Sequence, residues 1–337
     1  MKQVAVIILN WNGAKLLKQF LPSVIENTNR NLADIIVADN GSTDDSLEVL
    51  RHYFNSVKVI EFSENYGFAE GYNRAIAQCR QYRYTVLLNS DVQCAPQWLE
   101  PLYDFMEENP QTAACQPKIR AHWDSSKYEY AGASGGYIDC HGYPYCRGRV
   151  FQTVETDHGQ YDDITDIFWA TGAALFIRTD LYIKAGGLDK DFFAHMEEID
   201  LCWRVLLMGY NIKVIPQSIV YHLGGGSLPA SSPRKTYLNF RNNLLLLHKN
   251  LPCEDGKRLL LVRRLYDTLA FFAFIAKGEF ANAWAIVRAH GDFRRMKRNY
   301  EPTATVNLLK TFPNSQHNIV LGYNLFRRKT FTDITKH

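Results

Sequence analysis

The chain predicts an α/β fold, a mostly parallel sheet covered by helices, with a helical C-terminal extension. Three observations carry this. Strand-like and helix-like runs alternate up to residue 92. The strands are apolar throughout rather than alternating, as in sheets covered on both faces. Beyond about residue 226 the pattern turns mainly helical. In order, "VAVIIL" (4–9) is a first strand, and Leu16, Leu17, Phe20, Leu21, Val24 and Ile25 give helical spacing over 14–27. "DIIVAD" (34–39) is a second strand. The helix after it, "STDDSLEVLRHYF", has Ser42 and Asp45 placed like a capping box. "VKVIEF" (57–62), the helix "AEGYNRAIAQCR" and the strand "YTVLLN" (84–89) follow. Residues 125–165, rich in Gly, Tyr and Asp, predict an irregular or short-stranded excursion. A regular pattern resumes at "IFWATGAALFIR" (167–178). A helix over 197–209 closes at Gly209, and 211–216 is a strand.

The 337 residues, 46% hydrophobic and 22% charged, suit a soluble globular protein of about two domains. "VAVIIL" is too short for a secretory core, and the longest apolar run, Leu269–Ala276, is far below a membrane span. Seven cysteines without a CxxC or zinc spacing read as reduced thiols and predict a cytoplasmic protein. Charge is uneven. Residues 1–225 hold 19 Lys and Arg against 28 Asp and Glu, whereas residues 226–337 hold 19 against 7. The basic tail suits either an anionic membrane or a solvated surface. No groove-entering motif supports nucleic acid as a partner.

In open α/β sheets, ligands bind beyond the carboxyl ends of the strands. Three strands end there in polar residues: Asn10-Trp11-Asn12, Asp39-Asn40-Gly41-Ser42 and Asn89-Ser90-Asp91. Asp91 suits either a hard divalent cation shared with a diphosphate or a plain turn. Asp39 suits a nucleobase, a ribose hydroxyl or a helix cap. "ENYGFAEGYNRA" sets Gly67 and Gly71 at a helix start, between Asn65 and Asn73, where backbone amides can approach phosphate. It lacks GxGxxG and the P-loop lysine, which argues against dinucleotide enzymes and P-loop NTPases. "HMEEIDLCWR" puts Glu197, Glu198 and Asp200 in one helical turn, for macrodipole complementation or as a general base. His222, before a glycine run, is a structural histidine or a ligand for Mn²⁺.

Taken in order, "ILNWNG", "IIVADNGSTDDS", "ENYGFAEGYNRA", "LLNSDV", "FWATGAALFIR", "GGLDKDFFAHMEEIDLCWR" and "VYHLGGGS" resemble a family 2 glycosyltransferase, in particular the bacterial rhamnosyltransferase-like branch, over about residues 2–250. The resemblance implies a GT-A fold: a Rossmann-like nucleotide half (1–92) fused to an acceptor half (93–225), ahead of the basic helical region 226–337. It also implies inverting, metal-dependent transfer of a sugar from a nucleoside diphosphate sugar, dTDP-rhamnose or a UDP-sugar. The acceptor would be a hydroxyl of a glycan or lipid-linked substrate in cell-surface polysaccharide synthesis. By this resemblance Asn10, Trp11, Asn12, Asp39, Asn40 and Ser42 border the nucleoside. Asn65, Gly67, Phe68, Gly71, Asn73, Asn89 and Ser90 lie toward ribose and diphosphate. Asp91 and His222 hold Mn²⁺ or Mg²⁺. Trp169, Thr171, Gly172 and Ala173 border donor sugar and acceptor, and Glu198, with Glu197 and Asp200 as alternates, is the base. Two residues depart from the family pattern: Asn89 replaces the first acid of the metal motif, and the base is Glu where Asp is usual.

Two other readings stand beside this one. A polyprenyl-phosphate sugar transferase shares the fold, and "RRLYDTLAFFAFIAKGEF" would lie on an anionic membrane at its inner face or form a homodimer interface. A non-catalytic nucleotide-binding scaffold is suggested by the two departures.

Overall fold

The computed structural model describes residues 2–224 and 232–336. Gly225, Gly226 and Ser227 of the glycine run, and the expected boundary at 225/226, lie outside the described residues. Four parallel strands build the first half: β1 (Val4–Asn10), β2 (Ala33–Asp39), β3 (Lys58–Glu61) and β4 (Tyr84–Asn89). Helices α1 (Ala14–Asn27), α2 (Ser46–Tyr53) and α3 (Gly67–Ala77) connect them. Register then does the positioning. Asn10 pairs with Asp39, and Leu9 with Asn89, so the polar ends of three strands meet at one sheet edge.

The second half adds β5 (Val92–Cys94), α4 (Glu100–Glu108) and β6 (Thr112–Ala121). β7 (Gly136–Ile138), β8 (Pro144–Cys146), β9 (Arg149–Val150) and β10 (Thr153–Val154) form a small antiparallel sheet within the predicted excursion. β11 (Thr165–Asp166), β12 (Ala174–Arg178), α5 (Thr179–Lys184), α6 (Glu197–Leu207) and β13 (Asn211–His222) complete it. The main sheet runs β11-β13-β6-β12-β4-β1-β2-β3, with β12 antiparallel between β4 and β6 and β5 paired to β13. Side chains alternate across it. Val4, Val6 and Ile8 face a core with α1 and α4, while Ala5 and Ile7 face the core of α3, α6 and α7 (Pro233–Asn250).

Helices α8 (Cys253–Ala276) and α9 (Phe280–Met296) follow, then the short α10 (Leu308–Thr311), α11 (Ile319–Asn324) and α12 (Phe331–Thr335). They share a core with the second half. The Phe331 ring packs on Tyr137, Tyr145 and Tyr161 at 5.1, 5.8 and 5.8 Å. Buried Arg263 bonds the Asn243 side chain and stands over the Tyr143 ring.

Two expectations need correction. Ser42 and Asp45 form no capping box, because α2 starts at Ser46 and the Ser42 hydroxyl bonds Asp39 instead. The strand expected to end at residue 216 continues to His222 after a shift in pairing between Ile215 and Ile219.

Candidate active site

The polar residues at the ends of β1 and β2 form a closed hydrogen-bond net. Asn10 Nδ2 donates to Asp39 Oδ1 (2.9 Å) and Ser42 Oγ (3.2 Å). The Ser42 amide and hydroxyl donate to the two Asp39 oxygens at 2.9 and 2.6 Å. Asn12, at φ 49°, accepts from the Thr43 amide, so it pins the β2–α2 turn to the β1–α1 turn. Trp11 stands beside them, 56% exposed, a flat face open to a ring. Asn40 continues the net: its Nδ2 donates to Asn65 Oδ1 (3.0 Å) and the Gly67 carbonyl (3.1 Å). Gly67 takes φ +78°, a conformation that strains L side chains, and Phe193 lies against it. Gly71 packs on Leu9 and Asn40. Asn73 faces away: its amide bonds Leu188 N–H and C=O, and it accepts the Tyr182 hydroxyl.

Pairing of β13 with β5 sets His222 opposite Val92, beside Asp91. His222 Nε2 stands 3.1 Å from Asp91 Oδ1, with Asn89 Nδ2 at 3.4 Å. At the other ring nitrogen, Nδ1 is 3.5 Å from Glu129 Oε2. Burial opposes charge on this imidazole, yet the Asp91 and Glu129 carboxylates outweigh it and raise its pKa to about 10. Burial likewise works to raise Asp91, but the His222 hydrogen bond and charge prevail and hold its pKa below the ordinary carboxyl value. The donor set, a carboxylate and an imidazole backed by a second carboxylate, fits a divalent cation such as Mn²⁺. Glu129 was missed by sequence reasoning. It sits in an irregular segment about ninety residues away from its histidine, with no motif around it.

The acids of α6 divide. Asp200 is fully buried and held by Arg204, Lys249 and Asn250. Burial acts to raise its pKa, but Arg204 and Lys249 outweigh that and lower it. Glu197 and Glu198 have no such partners: an Oε2 atom of each is buried without a hydrogen bond. Burial raises both pKa values, and for Glu197 the neighbouring Glu198 charge adds to the rise. Glu197 is 4% exposed, whereas Glu198 is half-buried, and its Cβ and the Phe68 ring both border Gly172. The Ala173 carbonyl accepts the Asn89 amide at 3.0 Å, joining this wall to the end of β4. Ser90 is half-buried in the turn between Asn89 and Asp91. Thr171 is buried, its amide donating to Gln116 Oε1, and Trp169 is buried with Nε1 bonded to the Tyr137 carbonyl. The structure therefore brings together Asn89, Asp91, His222, Gly172, Ala173, Phe68 and Glu198. It leaves Asp200, Asn73 and Trp169 in the framework.

Residues 5–174 match the profile of Glycosyl transferase family 2. The chain belongs to that family. It is 26% identical over 232 residues to an N-acetylglucosaminyl-diphospho-decaprenol L-rhamnosyltransferase of Mycobacterium tuberculosis, covering 64% of this chain and 75% of that one. Two solved structures share the GT-A fold. S. aureus TarS 1–349 in complex with UDP-GlcNAc has TM-score 0.58 at 17% identity, over 87% of this chain and 80% of TarS. The mannosyltransferase PcManGT from Pyrobaculum calidifontis, with GDP-Man and Mn²⁺, has TM-score 0.54 at 13% identity, over 87% of each chain. This family 2 chain is thus a glycosyltransferase, similar to the rhamnosyltransferase-like branch.

Proposed function

We propose that this glycosyltransferase moves a sugar, with inversion, from dTDP-rhamnose or a UDP-sugar to a hydroxyl of a glycan or lipid-linked acceptor in cell-surface polysaccharide synthesis. The reading rests chiefly on one observation. A carboxylate–imidazole pair at the end of β4 adjoins, through Ala173 and Gly172, a half-buried Glu198 whose pKa is raised by burial. A carboxylate so perturbed in a cleft is a stronger base than a solvated one. Glu198 accepts the proton of the acceptor hydroxyl as that oxygen bonds the anomeric carbon and the bond to the diphosphate breaks. Asp91 and His222 would hold Mn²⁺ or Mg²⁺, whose chemistry there is Lewis-acid stabilisation of the leaving diphosphate. The Asp91 and Glu129 carboxylates favour a protonated His222, so this residue would have to give up that proton to hold a cation. Asn10, Asp39 and Ser42 orient the nucleoside, and Trp11 lies over it.

Glu198→Gln should lower kcat by about 10²–10⁴-fold while nucleotide-sugar affinity stays near wild type. Wild-type turnover by the variant would transfer the role to Glu197. Release of nucleoside diphosphate should depend on Mn²⁺ or Mg²⁺ after chelation. A panel of nucleotide sugars with purified protein identifies the donor.

Among the described residues no helix is long and apolar enough to cross a membrane. Leu261, Leu265, Leu269 and Phe272 nevertheless form an exposed stripe along α8, as do Phe280, Trp284 and Val287 along α9. Apolar stripes on a strongly basic region fit an anionic membrane at the inner face. Leu265→Ser with Phe272→Ser should abolish sedimentation with phosphatidylglycerol vesicles. Retained vesicle binding removes this surface from the membrane, and a concentration-dependent dimer lost in the variant assigns it to a second copy.

A further inference from the structure

The cavity between α7 and α9 lies outside the donor site and has a chemistry of its own. It measures about 440 Å³, within the range of small-ligand pockets, and Arg234, Arg241 and Arg288 line it with Tyr237, Trp284 and Phe193. None of the three guanidiniums has a carboxylate within salt-bridge distance among the described residues. Arg234 rests over the Phe193 ring at 5.1 Å. Arg241 and Arg288 both stand 5.3 Å from the Tyr237 ring. The nearby carboxylate, Asp292, already accepts the Tyr237 hydroxyl at 2.6 Å and pairs with Arg295 at 2.9 Å. Arg241 spends its N–H groups on Asn242 Oδ1, the Tyr237 hydroxyl and the Asp191 and Phe192 carbonyls. That leaves Arg234 and Arg288 as the cations on this wall without a hydrogen-bond partner among the described residues. Two such guanidiniums are a binding set for an anion, and their forks match phosphate oxygens.

Two further features say which anion. Trp284 lines the cavity yet is 63% exposed, on the apolar stripe of α9, so an apolar chain leaving the cavity meets an apolar surface. The opposite wall is the segment leading into α6. Arg241 donates to the Asp191 and Phe192 carbonyls, and Phe193 lies between the cavity and Gly67 of the donor site. A ligand that fits here is apolar on the Trp284 side and anionic at the arginines, with Phe193, ahead of α6, on another side.

We infer that this cavity binds the diphosphate of a polyprenyl-diphosphate-linked acceptor, with the isoprenoid leaving past Trp284 and the acceptor sugar directed toward Glu198. The inference deepens the proposed function and rests on it for the role of Glu198, but the binding site stands apart from catalysis. The test is calorimetric titration of the full chain with geranyl diphosphate in EDTA, against inorganic pyrophosphate. Arg234 and Arg288 are exposed and lie outside the donor site, so Arg234→Ala and Arg288→Ala should keep the wild-type melting temperature and nucleotide-sugar affinity. Each should weaken geranyl diphosphate at least about tenfold, from the loss of charge-assisted hydrogen bonds. Arg288→Lys should recover part of that loss. Absence of binding, or equal binding by wild type and both variants, overturns the site. Pyrophosphate binding as tightly as geranyl diphosphate overturns the lipid source and leaves a free-phosphate site. Failure of every nucleotide sugar to turn over would instead overturn the proposed transfer reaction and leave these binding results standing.

Discussion

Glu197 and Glu198 are adjacent carboxyls that share one cost, burial without a hydrogen-bond partner for an oxygen of each, but only Glu198 is part-exposed as a residue. Their raised pKa values have consequences of definite sign. The folded state holds protons that the unfolded chain releases near the ordinary 4.5, so stability from these groups falls as pH rises from there through the raised values. Glu197→Gln removes one charge of the pair and should raise stability at pH 7 by roughly 1 kcal/mol, read as a melting shift of a few degrees. The acid limb of kcat/KM should likewise lie above the ordinary carboxyl value. A limb at or below it would remove Glu198 from the proton transfer. Asp91 and His222 were legible in the sequence because each stands at a strand end in a recognisable motif. Glu129 was not, since only the long-range contact between the 125–135 segment and β13 makes it a neighbour of the histidine.

The run into α6 is a strained element with an identifiable support. Phe193, His195 and Met196 all have positive φ, from 66° to 75°. Nδ2 of Asn242, from α7, donates to the carbonyls of Phe192, Ala194 and His195 at 2.9, 2.9 and 2.7 Å. Asn242 is therefore a positioning residue for Glu198. Asn242→Leu should cost about 1–3 kcal/mol and lower kcat with little change in donor KM. An unchanged kcat in a destabilised variant would leave Asn242 a structural role only. Gly172→Ala tests the opposite case. The added Cβ would meet Phe68 at 3.5 Å and Glu198 at 3.7 Å, ordinary contact distances, so the melting point should hold while acceptor KM rises. Elements with clean periodicity, such as α1 and β4, were read to the residue. β6 escaped notice because "TAACQPKIRA" carries Pro117 and the buried Lys118, whose charge is balanced by Asp157 and Asp162 from the excursion. No local pattern announces such a partner.

The parallel half of the fold followed from strand–helix alternation alone, while the packing of the C-terminal region did not, because helical periodicity does not say against what a helix packs. Acid stability also spans both halves. Asp34 is tied to Lys58, Tyr82 and Lys2, and Asp157 to Lys118, Arg120 and Tyr128. Burial works to raise both carboxyls, but these hydrogen bonds and ion pairs prevail and hold their pKa values well below the ordinary 3.8. Their contribution is present above that value and lost as pH falls toward the lowered ones. Below about pH 4 these two groups should therefore make the melting temperature fall steeply. Asp157→Asn should flatten that fall. The support of the Phe193–Met196 run by α7 has a practical consequence for engineering. A chimera that exchanges the helical region between relatives at residue 232 would part the loop from Arg241 and Asn242, whose side chains hold its carbonyls. If the proposed function holds, donor choice should be graftable through the first half. Acceptor choice should by the same reading travel as a matched set, residues 191–198 with the helices behind them.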